Sequence, residues 1–382
     1  MRILIVNWRD IAHPWAGGGE VNIHEQAKRW VQQGHQVTML GGGYPIRHPG
    51  APIDTLIDGV EIIRRGGRFT VYLRAALHYL RHLRGKFDVV IDVANGLPML
   101  TPLYCRTPKV LLFHHVHLKQ WFVELPWPLA AIGWFIERFV VHTLYSGVRV
   151  VAISESTRQE LKHVGFDPAR VEVIRPGLDH RLFGLNSVQP EPARLVYLGR
   201  LRQYKRLETL IHLTRDLAPE FPDIHLDIVG IGEDRQHLED LARSEGVAGR
   251  VTFHGYVNEE EKVKLLQAGW VFVMPSLNEG WGISVLEANA CGLPAVAFDV
   301  PGLNESIRDG ETGLLGKDYE GLRARVRTLL IDPALRNKLA DEALRWSAQF
   351  DWEVTARDFL DVLESVCSAS PLAEPEFPVT AP

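Results

Sequence analysis

Cysteine is scarce in this sequence, and its three occurrences, Cys105, Cys291 and Cys367, lie far apart. This spacing fits neither a disulfide framework nor a zinc site, so a reducing cytoplasm is the predicted location. An excess of basic residues is also missing, since 42 Lys and Arg face 47 Asp and Glu for a net charge of −5. We therefore expect no nucleic-acid partner, because such binding needs a basic face.

Long apolar runs are absent as well. No uninterrupted apolar stretch reaches the roughly 20 residues that span a bilayer. The amino-terminal MRILIVN is short and has no cleavage-site pattern, so we do not expect a signal peptide. An apolar fraction of 46% with 23% charged residues is instead typical of a globular protein, and 382 residues are enough for two domains.

Short β-branched, apolar runs alternate with longer helical patterns along the chain. The first set lies at 2–7, 36–40, 61–65, 88–93, 109–113, 149–154 and 171–174, and the second at 194–199, 226–230, 250–255, 270–276, 294–300 and 312–316. Runs of this kind separated by helices predict parallel sheets covered on both faces. The pattern restarts after a Pro-rich, polar linker at 176–194, which predicts two doubly wound α/β domains that face a common cleft. The Pro-rich end, 368–382, is predicted to be a disordered tail.

The stretch NEGWGISVLEANACG (278–292) joins a predicted strand to a predicted helix and carries Glu279 and Glu287. Gly280 and Gly282 between them allow a ligand to approach the backbone closely. The helix N-terminus offers unpaired N–H groups and a partial positive charge, which suit a phosphate. Glu279 would then face what lies beyond the phosphate, and Glu287 would accept hydrogen bonds from a ribose. The alternative is a glycine-rich surface loop with two solvated glutamates.

A second stretch, LGRLRQYKRLETLI (198–211), places Arg200 and Lys205 after the first predicted strand of the second domain. Two cations at a strand-to-helix turn can neutralise a diphosphate leaving group. A basic surface turn is the alternative interpretation of the same residues.

Together these stretches resemble the retaining glycosyltransferases of family 4, which have the two-domain GT-B fold. Further segments agree in the same order: AISESTRQEL, VIRPGLDHRLF, IVGIGEDRQHLE, VTFHGYV and the closing FDWEVTARDFL. The resemblance covers the chain up to about residue 365. It implies an acceptor-binding domain at 1–175, a donor-binding domain at 176–350, and a segment, 351–367, that crosses back onto the first domain.

The resemblance also implies roles for single residues. Arg200 and Lys205 would hold the donor diphosphate, Glu279 would contact the transferred sugar, and Glu287 would bind the ribose. The loop between the two glutamates would meet the phosphates through its backbone N–H groups, at Gly280, Trp281, Gly282 and Ile283; Trp281 stands where the family often has Phe. Arg200, Lys205, Glu279 and His114 would be the catalytic residues.

In the first domain, WAGGGE (15–20) resembles the glycine-rich loop of the family, which lies close to donor phosphate and acceptor; its glycines are Gly17, Gly18 and Gly19. The spacing differs from the G-x-G-x-x-G of dinucleotide-binding proteins, and a flexible loop is the alternative. His114, at the end of the run 109–113, matches the position of a family histidine near the reacting centre. The alternative is a packed strand-end histidine. A metal cluster with His115 and His117 is disfavoured, because residues along a strand alternate faces and no Cys or carboxylate is nearby.

Residues 121–145 are rich in aromatic and apolar side chains but are interrupted by prolines and charges. Two interpretations stay open: a peripheral membrane contact that receives a lipid-linked acceptor, or a core helix with a hydrophobic acceptor wall.

The expected activity is transfer of a hexose from a UDP- or GDP-linked sugar to an acceptor hydroxyl, with retention and without a metal or cofactor. The expected acceptor is a glycan, a lipid-linked carrier or a small molecule, and polysaccharide, glycolipid or cell-envelope glycan synthesis is the expected role. The alternatives are a nucleotide-sugar 2-epimerase and a non-catalytic sugar-nucleotide subunit. A NAD-dependent oxidoreductase is disfavoured because the glycine fingerprint with its downstream acidic residue is missing.

Overall fold

The computed structural model describes residues 1–43, 54–67, 70–184 and 193–369. The strands of the first sheet are β1 (Arg2–Val6), β2 (Gln36–Gly41), β3 (Asp54–Ile57), β4 (Val60–Arg64), β5 (Val89–Asn95), β6 (Lys109–His115), β7 (Arg149–Ala152) and β8 (Val171–Val173). Those of the second sheet are β9 (Arg194–Leu198), β10 (His225–Val229), β11 (Val251–Gly255), β12 (Val271–Met274), β13 (Ala295–Phe298) and β14 (Gly313–Gly316).

The strand order confirms the predicted fold class. It is β3-β4-β2-β1-β5-β6-β7-β8 in the first sheet and β11-β10-β9-β12-β13-β14 in the second. In each sheet the order reverses beside the first strand of the domain, β1 or β9, and the carboxyl ends of the central strands frame the crevice where ligands bind in such folds. Each predicted run contains a strand. The strand β3, which pairs antiparallel with β4 at the sheet edge, was not predicted. None of its four residues, DTLI, is buried, so β3 lacks the apolar run that predicts the other strands.

Helices cover both faces of each sheet. Before β9 they are α1 (Gly18–Gln32), α2 (Val71–His78), α3 (Trp121–Glu124), α4 (Trp127–Phe135), α5 (Val141–Leu144) and α6 (Glu155–Leu161). After it they are α7 (Glu208–Leu217), α8 (Arg235–Ser244), α9 (Glu259–Gln267), α10 (Ile283–Ala290), α11 (Leu303–Ser306), α12 (Tyr319–Ile331), α13 (Pro333–Ser347) and α14 (Trp352–Ala369). Single π-helical turns follow α2, at Tyr79–Leu83, and α4, at Ile136–Val140. No described helix is both long enough and apolar enough to cross a bilayer.

The final helix, α14, packs on α1 of the first domain. The indole Nε1 of Trp30 donates to the carbonyl of Ala356 at 2.8 Å, and its ring lies 5.7 Å from that of Phe359. The helix continues through Ala369, so the disordered tail predicted from 368 begins too early, and residues 370–382 lie outside the described residues. Within the predicted linker, residues 185–192 also lie outside them. The predicted domain boundary at 175 falls between β8 and β9.

Candidate active site

A cleft of about 620 Å³ lies between the two sheets, at the carboxyl ends of their central strands. Its walls are loops that follow β1 and β6 in the first domain and β9 to β12 in the second. The sequence-predicted site residues line it without exception: Gly17, Gly18, Gly19, His114, Arg200, Lys205, Glu279, Gly280, Trp281, Gly282, Ile283 and Glu287. Folding thus brings residues up to 270 positions apart into one cavity.

The loop between β12 and α10 forms one wall. Gly282 is the N-cap of α10 with a φ of 86°, a left-handed conformation that glycine adopts at little cost. A Cβ on Gly280 would lie 2.2 Å from the His114 carbonyl oxygen, so this loop meets the first domain backbone to backbone. The N-terminus of α10 therefore faces the cleft with the N–H groups that suit an anion.

Trp281 contributes to this wall through its backbone. Its ring is buried between the domains, 5.3 Å from the Phe350 ring, and the Arg175 guanidinium lies 5.6 Å from its centre. The aromatic residue at this position therefore anchors the loop from behind. Trp281 can contact a phosphate only through its backbone N–H.

Lys205 and Glu279 form an ion pair across the base of the cleft. Lys205 lies in the turn after β9, and Glu279 lies in the loop after β12, the strand that pairs with β9. Burial has the largest single influence and lowers the pKa of Lys205, but the charge of Glu279, the neighbouring Tyr204 and the hydrogen bond to Glu279 together outweigh it, so that the pKa is raised and Lys205 is charged. A diphosphate can replace or share this carboxylate as the partner of the ammonium group.

The Arg200 guanidinium is held where the domains meet. It donates to the Tyr204 hydroxyl at 3.2 Å and to the Trp15 carbonyl at 3.4 Å. A Cβ on Gly17 would lie 3.0 Å from its Nε, so a larger residue at this position would require the Arg200 side chain to shift. The Tyr197 hydroxyl donates to the Arg200 carbonyl at 3.0 Å and fixes the backbone. These contacts hold the Arg200 guanidinium in the cleft, next to the glycine loop.

Glu287 pairs with a residue that the sequence analysis missed. The Lys262 ammonium lies 2.7 Å from a Glu287 carboxylate oxygen and also 2.7 Å from Glu259. Burial raises the pKa of Glu287, and the Lys262 charge opposes that rise. Lys262 lines the cleft from α9, which follows β11. Its place near the carboxyl end of a strand was the available signal, but the acidic run NEEEK around it is typical of a solvated helix.

His114 lies at the end of β6 and is almost fully buried. Its Nε2 is 3.1 Å from the Asn22 amide nitrogen, and Gln26 donates to the Asn22 side-chain oxygen at 3.1 Å. Asn22 therefore offers its NH₂ to His114, which assigns Nε2 as acceptor and leaves the proton on Nδ1. Burial lowers the pKa of His114 to about 4, so that the ring is neutral at pH 7.

The neighbouring histidines stack instead of converging on a point. The His115 and His117 ring centres are 4.4 Å apart, and Trp121 stacks on His117 at 4.7 Å. Among the described residues no group of three His, Cys, Asp or Glu is placed to hold a metal ion. The three side chains therefore form an aromatic wall beside His114.

The glycine loop is fixed by a second group of residues that the sequence analysis missed. The Glu20 carboxylate accepts from the Gly17 backbone N–H at 2.8 Å, from Asn95 at 3.1 Å and from Arg9 at 3.3 Å. A Cβ on Gly19 would lie 2.7 Å from the Asn95 side-chain oxygen. The loop is therefore held in place by specific hydrogen bonds to Glu20 and close packing against Asn95. The signal in the sequence was Glu20 at the third position of the helix, as in a capping box.

A cleft with paired cations, a helix N-terminus and a glycine loop between two doubly wound domains suits a phosphate-bearing ligand, and the two-domain arrangement is that of the GT-B fold. The family comparison agrees. The family model described as "Glycosyltransferase Family 4" matches residues 16–182, and the family model described as "Glycosyl transferases group 1" matches residues 185–346. The chain belongs to this family of glycosyltransferases.

Relatives extend over the whole chain or over about half of it. Glycogen synthase of Mycobacterium tuberculosis is 28% identical over 99% of this chain and 98% of its own length. The D-inositol 3-phosphate glycosyltransferase of Corynebacterium diphtheriae is 32% identical over 57% of this chain and 55% of its own.

Solved structures share the fold. The sucrose-phosphate synthase of Thermosynechococcus elongatus superposes with a TM-score of 0.82 at 20% identity, covering 97% of this chain and all of its own. Anabaena HepE in complex with UDP and glucose superposes with a TM-score of 0.74 at 18% identity, covering 96% of this chain and all of its own.

Proposed function

We propose that this glycosyltransferase moves a hexose from a UDP-linked sugar, or otherwise a GDP-linked one, to an acceptor hydroxyl with retention of the anomeric configuration. The observation that carries the proposal is the pairing of cleft cations with carboxylates, Lys205 with Glu279 and Lys262 with Glu287, beside Arg200 and the α10 N-terminus. UDP is placed first because HepE, which shares the fold, was solved with UDP and glucose.

The charge arrangement supports a metal-independent departure of the nucleoside diphosphate. As the bond from C1 to the phosphate oxygen breaks, negative charge grows on the diphosphate. Arg200, Lys205 and the N-terminus of α10 are aimed at that charge, so they stabilise the transition state more than the ground state. No chelated cation is needed in this scheme.

The remaining groups fit attack from the face that the leaving group vacates. The acceptor oxygen forms the new bond to C1, and its proton passes to the departing phosphate oxygen, so that no separate base is required. His114, at the cleft end of β6, would help to orient the sugar or acceptor. Glu279 would contact the sugar hydroxyls, and Glu287 with Lys262 would position the ribose. Contact of the two domains excludes water that would hydrolyse the donor.

We also propose that the protein contacts the membrane peripherally through 121–145. Its role would be polysaccharide, glycolipid or cell-envelope glycan synthesis at the cytoplasmic face. The support is that large apolar side chains of this segment are exposed, and Trp127 is 73% exposed. The core-helix interpretation accounts for the residues of the segment that are buried, which are Ala130, Gly133, Glu137, Val141 and Tyr145.

Thermal unfolding with UDP, GDP, ADP, dTDP and NAD⁺ tests the donor site, because a ligand of the folded state raises the midpoint. We expect a rise with UDP that is lost in Lys205→Ala and kept in Lys317→Ala, an exposed lysine outside the cleft. With UDP-hexoses and EDTA, Lys205→Ala should lower the rate of UDP release by about 10² to 10³-fold. Proton NMR of the product then reports the anomeric configuration.

No rise with any nucleoside diphosphate, or a rise with NAD⁺ alone, contradicts the proposal. Loss of turnover in EDTA contradicts its metal-independent part. Sugar-nucleotide conversion without any transfer to an acceptor, even with a panel of glycans and lipids, would favour the epimerase alternative.

A further inference from the structure

The aromatic wall beside His114 is a stack of nearly parallel rings. The planes of the His115 and His117 rings are 22° apart, and those of His117 and Trp121 are 30° apart. Both histidines line the cleft, and Trp121 supports His117 from the side away from His115. Burial first, and then the neighbouring His117, holds the pKa of His115 well below its ordinary value, so the ring is neutral at pH 7. The cleft is therefore bounded here by an uncharged aromatic surface.

One buried carboxylate holds this wall from behind. Glu137 is 1% exposed and lies in the π-helical turn Ile136–Val140. It accepts from the backbone N–H groups of His117 and Leu118, at 2.8 and 2.7 Å, and from the Trp121 Nε1 at 2.8 Å. Single π-helical turns are frequent at functional sites. The carboxylate therefore fixes both the loop after β6 and the last ring of the stack.

The loop is held in a conformation that its sequence does not favour. Leu118 has a φ of 39°, in the left-handed region that a leucine rarely adopts, and its N–H is one of those bound by Glu137. The Trp121 ring also needs glycine on either side, since a Cβ on Gly96 or Gly133 would lie 2.9 or 3.0 Å from it. Backbone strain that the surroundings maintain is typical of ligand sites.

The wall lies next to the reacting centre. His114 precedes it in β6, and α3, which begins at Trp121, lies against the turn Gln203–Lys205 of the second domain. The Gln120 side chain adds an amide to the same part of the cleft. Binding sites for small polar molecules combine aromatic surface with a few polar groups. A pyranose matches this combination, because it has a C–H face for a ring and hydroxyls for an amide.

We propose that His115, His117 and Gln120 bind an uncharged pyranose of the acceptor, and that Glu137 is the positioning residue that holds this subsite in place. The proposal rests on the proposed function, since it assigns the wall to the acceptor of that reaction. The competing occupant is the hexose of the donor, and a lipid chain is the other.

Saturation-transfer NMR of the full chain tests the subsite. The probes are the methyl α-pyranosides of glucose, mannose and galactose, each with and without UDP. We expect ring-proton signals from at least one of them, and binding about tenfold weaker in His115→Ala, which removes the ring at the cleft end of the stack. Octyl β-glucoside below its micelle concentration should be saturated on its sugar ring. No ring-proton signal from any pyranoside, or saturation confined to the octyl chain, overturns the proposal.

A second set of variants tests the positioning role. Glu137→Gln turns an NH₂ group toward N–H donors and should weaken binding of the same pyranoside by about tenfold in an NMR titration. Trp121→Ala should do the same, although Trp121 stands behind the wall, and Trp121→Phe should restore binding because it keeps a stacked ring. Glu172→Gln, at an exposed carboxylate of the first domain, is the control and should bind like the wild type. Wild-type binding by both Glu137→Gln and Trp121→Ala overturns the role of Glu137.

Measurements on the donor side separate this proposal from the proposed function. The UDP-induced rise in unfolding midpoint should be the same in the wild type and in every variant. If the wild type shows no rise, the donor proposal fails, and the titration without UDP still decides the subsite. A rise with UDP-glucose that falls in His115→Ala, while the rise with UDP is kept, assigns the wall to the donor hexose and overturns the proposal. Circular dichroism verifies folding, and the Trp121 pair decides if Glu137→Gln is unfolded.

Discussion

His114 is kept neutral by its surroundings, and its donor atom is set by a neighbour. Asn22 presents its NH₂ to Nε2, since Gln26 occupies the Asn22 oxygen, and a proton on Nε2 would meet another donor. Burial lowers the pKa from 6.5 to about 4. The sequence placed a histidine at the end of a strand, but the proton position depends on a helix that lies 92 residues away in the chain.

This geometry predicts a pH dependence of stability. A histidine with a lowered pKa binds its proton mainly in the unfolded state, so the free energy of unfolding falls as the pH drops below 6.5 toward 4. Between pH 7 and pH 5, His114 should account for a loss of about 2 kcal/mol. Urea unfolding of the wild type and of His114→Gln over this range measures the difference.

His163→Gln, which removes an exposed histidine, is the control and should follow the wild-type profile. Parallel pH profiles for wild type and His114→Gln would show that the pKa of His114 is the same in the folded and the unfolded protein.

At the scale of elements, the loop between β12 and α10 is where the two domains touch most closely. A Cβ at Gly280 would meet the His114 carbonyl oxygen at 2.2 Å and an Ile153 methyl at 2.8 Å. The sequence analysis explained this glycine by the approach of a ligand. In the structure, the neighbour of Gly280 is instead the His114 backbone of the first domain. The loop thereby closes the rear of the cleft.

Gly280→Ala should therefore separate the loop from β6 and misplace Glu279 relative to His114. A displacement of about 1 Å at a reacting centre lowers kcat/KM by about 10²-fold. Steady-state release of the nucleoside diphosphate measures it. Gly147→Ala, at a position where an added Cβ meets nothing within 4 Å, should leave kcat/KM unchanged. Wild-type activity of Gly280→Ala would mean that the domains stand further apart during turnover than they do here.

At the scale of the whole molecule, one carboxylate bridges the two domains away from the cleft. Glu305, in α11 of the second domain, accepts from the backbone N–H groups of Glu155 and Ser156, both at 3.0 Å. It also lies 3.2 Å from the Arg175 guanidinium beside the domain boundary. The carboxylate thus satisfies the N-terminus of α6, where a negative charge is favoured.

Glu305→Gln should loosen this contact, since an amide has one acceptor oxygen and no charge. We expect a larger radius of gyration in small-angle X-ray scattering, a loss of about 1–3 kcal/mol in the free energy of unfolding, and partial recovery of the compact form on adding the donor nucleotide. Glu342→Gln removes an exposed carboxylate paired within α13 and is the control. An unchanged radius for Glu305→Gln would assign the domain arrangement to the other contacts.

The sequence by itself determined the order of the strands along the chain, the two-domain division and the identity of the cleft residues after each strand. These follow from local causes: apolar runs make buried strands, and the ends of parallel strands carry the loops. For that reason the sequence alone was enough to predict that four residues lie in the cleft: Arg200, Lys205, Glu279 and Glu287.

Only the tertiary structure decided which side chains pair and which turn away. Lys262 reaches Glu287, Glu20 fixes Gly17, and the Trp281 ring packs between the domains because of contacts between segments far apart in sequence. Periodicity is a local property, whereas burial is set by the neighbours that folding supplies.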